Sequence, residues 1–94
     1  MTCVVFTNNR EKAKAKLEEI KNIKGNLVRL YKTRDRLEYD FEDGDSWRWE
    51  RINATRRGIR AFKAYIDKNA TIEELEYIVL PSCSHCEDED VFYF

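Results

Sequence analysis

The clearest candidate for binding chemistry is a group of basic residues around a glycine in the second half of the chain. Arg56, Arg57, Arg60 and Lys63 surround Gly58 in the stretch INATRRGIRAFKAYIDKN. Guanidinium groups bind phosphate through two parallel hydrogen bonds, and a glycine lets the backbone come close to a ligand. The pattern indicates either an anion-binding loop or a solvated turn whose arginines pair with acids of the same chain.

Aromatic and amide side chains near this loop would complete a nucleotide site. Aromatic rings stack on bases, at roughly 1–3 kcal/mol per base, and an amide can bond to ribose hydroxyls. The predicted ligand-binding residues are Asn53, Arg56, Arg57, Arg60, Trp47, Trp49 and Tyr65. For the two tryptophans the alternative is core packing, because aromatic residues on one face of a strand are usually buried.

A second group of reactive residues is the C-x-x-C pair of Cys83 and Cys86, with His85 between them. This pair supplies two metal ligands, whereas a structural zinc site needs four, and Cys3 adds a third only if the fold brings it near. We predict free thiols and no metal, with a zinc site or a redox pair as the alternatives. A single histidine does not support a catalytic triad, so we predict no enzyme and no cofactor.

Composition limits the class of protein. The chain has 94 residues, which allows one domain, 1–94, with one modest core. A hydrophobic content of 43% argues against disorder, and no apolar run approaches the roughly 18 residues that span a bilayer. The three cysteines and the lack of a signal-peptide pattern predict a cytoplasmic protein with reduced thiols. Residues 46–63 carry six bases and one acid, which indicates a focused anion site and not a broad DNA-binding face.

The first third of the chain predicts a strand, a helix and a strand. Residues 3–6 (CVVF) are short, apolar and β-branched, which is typical of a buried strand. A helix follows, with Asn8 or Asn9 as its N-cap and Gly25 as the residue that ends it. Residues 26–32 (NLVRLYK) predict the second strand.

The middle third predicts a β-hairpin. Residues 37–42 (LEYDFE) alternate apolar and acidic side chains, and SWRWERI alternates tryptophans with the charged residues Arg48 and Glu50. The DGD between them is typical of a tight turn. We expect Trp47 and Trp49 to lie on the same face as Tyr39 and Phe41 across this hairpin.

The last third predicts a strand, a helix and a strand. After a polar loop at 53–60, residues 61–67 (AFKAYID) alternate as a strand. Thr71 and Glu74 form a capping box at the start of an amphipathic helix, which we expect Pro81 to stop. The terminal VFYF predicts a short strand that completes the sheet, or else a contact in a homo-oligomer. The fold class is therefore α+β, or a small mixed α/β sheet, with six short strands and two helices in the order β-α-β-β-β-β-α-β.

Two long stretches resemble parts of phage terminase and helicase ATPase domains. CVVFTNNREKAKAKLEEI is similar to the strand–helix unit after their nucleotide-binding helix. LEYDFEDGDSWRWERINATRRGIRAFKAYID is similar to a later hairpin, Arg-Gly-x-Arg loop and strand. The resemblance covers much of residues 2–80 and implies that Asp67 takes the place of the family's magnesium-associated acid. Lys68 stands where the family usually has glutamate, and the chain has no G-x-x-x-x-G-K-[ST] loop, so the resemblance implies a trimmed core that is not a motor.

The size and layout also resemble those of the phage anti-Thoeris sponge proteins of the first type. Members of that family sequester cyclic ADP-ribose signals made by TIR-domain immune enzymes. The resemblance implies a phage protein, located in the cytoplasm of the host cell, that binds and sequesters a nucleotide-derived signalling molecule without catalysis. No individual residue is carried over from this family.

Two further functions stay open. The first is a protein–protein inhibitor of a host defence protein or nucleic-acid enzyme, acting as a nucleic-acid mimic. The acids that it would use lie along the predicted hairpin: Glu38, Asp40, Glu42, Asp43 and Asp45. The second is a nucleic-acid-binding accessory domain that uses the arginine loop, for which a steep salt dependence of binding is expected.

Overall fold

A six-stranded mixed sheet forms the centre of the computed structural model, which describes residues 1–54, 60–83 and 86–94. The strands are β1 (Thr2–Phe6), β2 (Leu27–Lys32), β3 (Leu37–Phe41), β4 (Ser46–Glu50), β5 (Lys63–Ile66) and β6 (Val91–Tyr93). They lie in the order β2-β3-β4-β1-β5-β6. Helix α1 (Arg10–Lys24) follows β1, and a second helical segment precedes β6. The α+β class and the predicted order of strands and helices are therefore confirmed.

Five of the six described strands run in the same direction, and only β3 runs opposite to them. β1 is parallel to β4 on one side and to β5 on the other, and β6 is parallel to β5. β3 is antiparallel to β4, and β2 is antiparallel to β3. The last residues of β1, β2, β4, β5 and β6 therefore lie at one edge of the sheet, which we call the carboxyl edge.

Helix α1 begins and ends where the sequence predicts. The Asn9 side chain accepts a hydrogen bond from the Lys12 amide at 3.2 Å, as an N-cap residue does. Gly25 ends the helix with φ of 65°, a left-handed conformation that favours glycine, and its amide donates to the Lys21 carbonyl. The buried residues of α1 are Ala13, Leu17 and Ile20.

The apolar core under α1 is built from the alternating strands of the hairpin. Tyr39 lies opposite Trp47 in the ladder, which confirms the predicted pairing of aromatic faces. The core residues that the strands contribute are Cys3, Val5, Leu37, Tyr39, Phe41, Trp47 and Trp49. Lys24 extends from the end of α1 to the hairpin turn, where its ammonium lies 3.0 Å from the Asp45 carboxylate.

The other face of the sheet carries a second apolar cluster. It contains Val4, Phe6, Ile52, Ala61, Ala64, Ile66, Val79 and Cys83. Since Val79 and Cys83 lie in or next to the second helical segment, the two helices cover opposite faces of the sheet. The topology is therefore doubly wound. The connections from β1 and from β5 proceed toward opposite ends of the sheet, so the topological switch point lies between β1 and β5.

The second helical segment, α2, spans residues 72–82. It is α-helical over Ile72–Glu74, π-helical over Leu75–Val79 and α-helical again over Leu80–Ser82. The Thr71 hydroxyl accepts from the Glu74 amide at 3.1 Å and the Glu74 carboxylate accepts from the Thr71 amide at 2.9 Å, which confirms the capping box. The prediction that Pro81 stops the helix is wrong by one residue. Proline has a φ angle close to the helical value, so its ring is compatible with the last turn of a helix even though it donates no hydrogen bond there.

Two short stretches of the sequence predictions lie outside the described residues. They are residues 55–59, with Arg56, Arg57 and Gly58, and residues 84–85, with His85. Asn53 itself lies in a 3-10 turn, Ile52–Ala54. In the part of the chain that the structure describes, no helix is both long and apolar enough to cross a membrane.

Candidate functional site

The two tryptophans of β4 are buried under α1. Trp47 is 5% exposed and Trp49 is 6% exposed, so neither ring face is open to a ligand. The Arg51 guanidinium covers the Trp49 ring, 4.8 Å from its centre. The arrangement is the core packing that the sequence offered as the alternative, and neither tryptophan enters the candidate site.

The structure does not bring Asn53 and Arg60 together. The Asn53 amide donates to the Asn8 side chain at the carboxyl edge, at 3.0 Å. Arg60 is exposed and precedes Ala61 and Phe62, and the Phe62 amide donates to the Thr2 carbonyl at the start of β1. The length of β1, about 15 Å, therefore separates the two positions. Arg56 and Arg57 lie outside the described residues.

Tyr65 is the predicted site residue that lies among other aromatic rings. It is half-buried on the α1 side of β5, and its ring stacks on Phe92 with centroids 5.0 Å apart. The Phe94 ring meets it edge-on at 6.2 Å, and the Trp47 ring lies 5.7 Å away on the core side. Phe92 is 41% exposed, so the aromatic group continues from the core to the surface.

Two lysines of α1 lie against these rings. The Lys16 ammonium is 4.8 Å from the centre of the Tyr65 ring and 5.5 Å from that of Phe94. The Lys12 ammonium is 4.9 Å from the centre of the Phe94 ring. These distances are within the range of cation–π attraction. We call the surface formed by Lys12, Lys16, Tyr65, Phe92 and Phe94 the lysine–aromatic surface.

Asp67 joins this surface to the carboxyl edge. Its Oδ1 accepts from the Lys12 ammonium at 2.6 Å and from the Asn69 amide at 2.9 Å, and its Oδ2 accepts from the Thr7 hydroxyl at 2.7 Å. Burial raises the pKa of this carboxyl, but the hydrogen bonds, that from Lys12 first, lower the pKa by more. Asp67 is therefore held as a carboxylate, and a lysine ammonium already neutralises it.

Thr7 fixes the position of Asp67. It is fully buried directly after β1, and its hydroxyl also accepts a hydrogen bond from the Asn9 amide at 3.1 Å. The Thr7 carbonyl accepts from the Trp49 indole nitrogen at 2.8 Å. Lys12 in turn donates to the Phe94 carbonyl at 3.0 Å, so the ends of β1, β5 and β6 are tied to the first turn of α1.

The cysteines are placed as thiols on two sides of the sheet. Cys3 packs in the core under α1, whereas Cys83 packs on the opposite face, so the fold does not bring Cys3 to the C-x-x-C pair. Burial raises the pKa of Cys3 to about 11 and that of Cys83 to about 12. The Cys86 thiol donates to the Ala61 carbonyl at 3.2 Å. Among the residues that the structure describes, no group of three or more potential ligands is placed to hold a metal ion.

The sequence contains signals for this surface that the predictions did not use. Lys12 and Lys16 are four residues apart in KAKAK, a spacing that puts both on one face of a helix. Phe92 and Phe94 alternate in the terminal strand and therefore point to one face of the sheet. What the sequence did not show is that this strand pairs in parallel with β5 next to Tyr65.

Comparison with models of known protein families gave no match to the chain. Comparisons with curated proteins and with solved structures gave no match either. The resemblances to terminase-type ATPases and to anti-Thoeris sponge proteins stay predictions.

Proposed function

We propose that the protein binds a nucleotide-derived anion on the lysine–aromatic surface and sequesters it without chemical change. The observation that carries the proposal is the contact of two ammonium groups with aromatic rings beside the exposed ring of Phe92. A base stacks on the open face of Phe92, and the phosphates lie toward the lysines of α1. Neither the stacking nor the phosphate–lysine contact depends on which base the ligand carries, and neither requires a chemical reaction.

The biological role that fits this binding is evasion of an immune signal by a phage-type protein. The layout predicted from the sequence resembles sponge proteins for cyclic ADP-ribose, and a ligand of that kind carries both a base and phosphates. In the proposal the protein acts in the cytoplasm of the host cell and lowers the free concentration of the signal. Sequestration needs tight binding and slow release, so it is supported by a preformed surface such as the one between α1 and β6.

The proposal is of binding alone because the polar groups at the site are engaged with one another. Thr7 donates to Asp67, and Asp67 is paired with Lys12. A nucleophile or general base needs a reactive lone pair within reach of a substrate. The Lys16 ammonium is less tightly held, at 3.2 Å from the exposed Glu19 carboxylate, and a phosphate can replace that partner.

The rival proposal of a nucleic-acid mimic is less well supported. Four of the five hairpin acids that it needs already have partners within the chain. Glu38 is 2.5 Å from the Arg36 guanidinium, Asp40 accepts from the Ser46 hydroxyl at 2.7 Å, and Lys24 bonds to both Asp43 and Asp45. Paired acids present a weaker negative potential than the same number of solvated ones. A nucleic-acid-binding role for the arginine loop stays a prediction, since Arg56 and Arg57 lie outside the described residues.

Calorimetric titration with cyclic ADP-ribose, ADP-ribose and cyclic AMP tests the proposal. We expect one of these ligands to bind, and we expect Phe92→Leu, which keeps apolar bulk but removes the ring, to weaken binding about 5- to 150-fold. Lys16→Met should weaken binding several-fold and reduce its salt dependence. Lys21→Met, in the last turn of the same helix, removes the same charge and should leave affinity unchanged.

Mass spectrometry of small molecules released from the denatured protein gives an independent result. A base- and phosphate-containing compound that co-purifies with the native chain and is lost in Phe92→Leu supports the proposal. A chain that is empty and binds no nucleotide in titration refutes it. Capture of a host protein by such an empty chain favours the inhibitor in its place.

A further inference from the structure

Half of one sheet face is polar. The apolar cluster under α2 takes its strand residues from β1 and β5, with Val91 of β6 packed against it, and none from β2, β3 or β4. On these three strands the side chains that alternate away from α1 are mainly polar or charged, and they include Arg29, Glu38, Asp40, Ser46, Arg48 and Glu50. This polar half of the face is distinct from the lysine–aromatic surface, which lies on the α1 side over β5 and β6.

A cavity of about 470 Å³ lies at the end of this polar half-face nearest the carboxyl edge. Its walls are formed by Asp35, Arg36, Leu37, Glu38, Arg48, Trp49 and Glu50. The volume is in the range of sites that hold small molecules. The ionic side chains of the wall come from β3, from β4 and from the turn before β3. Most of them are therefore attached to hydrogen-bonded strands, which fix the positions of their backbone atoms.

Arg48 differs from the other ionic residues of this wall, because no ion pair or hydrogen bond of its side chain is seen among the described residues. Its Nε is buried and makes no hydrogen bond within the part of the chain that the structure describes. The neighbouring guanidinium groups differ, because Arg36 pairs with Glu38 at 2.5 Å and Arg51 pairs with Asp35 at 3.3 Å. A buried donor left unsatisfied is unfavourable, and an acceptor supplied by a ligand removes that penalty.

The indole nitrogen of Trp47 is the other buried atom of this kind among the described side chains. It lies on the α1 side of β4, in the core and away from the cavity. Of these two residues, Arg48 is the one that lines the cavity.

We propose that this cavity binds a small carboxylate ligand of the amino-acid type, with its carboxylate on Arg48. The wall contains two arginines and three carboxylates, and Arg51 beside it pairs with Asp35, so the positive and negative charges nearly balance. A zwitterion matches this balance, because its carboxylate meets Arg48 while its ammonium lies among the acids. Glu38, which faces Arg48 across the ladder, and Glu50, two residues along β4, flank that position.

Trp49 lines the cavity and provides the signal for a direct test. The purified full chain is titrated with each standard amino acid, with acetate and with inorganic phosphate, and tryptophan fluorescence and the unfolding temperature are followed. We expect a saturable fluorescence change and a raised unfolding temperature for at least one amino acid. Acetate should bind more weakly and phosphate should not compete.

Two variants decide whether Arg48 is the ligand-binding group. Arg48→Gln should weaken binding at least 10-fold, and Arg48→Lys, which keeps the charge but lacks Nε, should weaken it to a similar extent. Arg29→Gln, an exposed arginine on the same face, should bind as the parent does. In the absence of ligand Arg48→Gln should unfold at the same temperature as the parent or a higher one, since it removes an unsatisfied buried donor.

Three results would overturn the proposal. One is the absence of a response to any amino acid in the parent protein. Another is unchanged affinity in Arg48→Gln, and the third is displacement of the bound amino acid by phosphate. None of them bears on the lysine–aromatic surface, so this proposal and the proposed nucleotide binding stand or fall separately.

Discussion

Lys12 and Asp67 lie 55 positions apart in the chain, and their side chains form a 2.6 Å ion pair between α1 and the end of β5. The pair is mostly shielded from water, with side-chain exposures of 26% for Lys12 and 12% for Asp67. It holds the first turn of α1 against β5 and β6, and thereby sets the distance between the lysines of α1 and the rings of Phe92 and Phe94. Its removal should affect both stability and the proposed binding.

Lys12→Met should lower the free energy of unfolding by about 2 kcal/mol. The change leaves a largely buried carboxylate without its cation, and the partial exposure keeps the cost below that of a fully buried pair. Urea unfolding followed by circular dichroism measures it. Lys14→Met, in the same helix, is the matched control and should cost less. In the double variant Lys12→Met/Asp67→Asn the two losses should not add, because both remove one interaction.

The stability of the protein should fall in acid partly through Asp67. Its pKa is lowered from the ordinary value of 3.8, so the folded state binds a proton less readily there than the unfolded state does. The stabilisation is therefore fully present above about pH 4 and is lost as the pH falls through the lower folded pKa. Unfolding free energies measured from pH 7 to pH 2 should show a weaker pH dependence for Asp67→Asn. Glu11→Gln, which removes a carboxyl that is 76% exposed, is the control for the loss of one acidic side chain.

Local sequence patterns were sufficient to predict most of the secondary structure. The caps of α1 at Asn9 and Gly25 and the capping box at Thr71 involve neighbours within a few residues, so the sequence contains all the partners. The aromatic pairing of Tyr39 with Trp47 follows from alternation plus one tight turn. In each case the interacting groups are close along the chain, so few alternative partners are available to them.

The site could not be predicted in the same way because it depends on which strands are neighbours. Alternation assigns Tyr65 and Phe92 to faces of their strands, but it does not show that β5 pairs with β6 in parallel. The hypothesis of a single loop site treated Asn53 and Arg60 as neighbours because they are close in sequence. The end of β4 and the start of β5 instead lie at opposite edges of the sheet, because both strands are parallel to β1.

The two tryptophans of β4 should respond differently to the same substitution. Both are buried on one face, but the Trp49 indole donates to the Thr7 carbonyl at 2.8 Å, whereas the Trp47 indole nitrogen makes no hydrogen bond among the described residues. Trp49→Phe should therefore destabilise the protein by about 1–2 kcal/mol more than Trp47→Phe, since it leaves a buried carbonyl unsatisfied. Chemical unfolding of both variants measures the difference. Equal losses would mean that this hydrogen bond adds nothing to stability.

The thiols should be protected from alkylation in the folded state to different extents. Cys3 is fully buried with a pKa of about 11, and Cys83 is 7% exposed with a pKa of about 12, so neither forms much thiolate at pH 8. The Cys86 thiol is only half-buried, although burial raises its pKa also.

Iodoacetamide at pH 8 should therefore modify Cys86 first and slowly, and should reach Cys3 and Cys83 only after unfolding in urea. Mass spectrometry of the intact chain counts the adducts, and peptide mapping assigns them. Cys86→Ser is the control and should show almost no modification while folded. Rapid alkylation of Cys83 in the native protein would instead indicate a thiolate, and with it the redox or zinc chemistry that the C-x-x-C spacing left open.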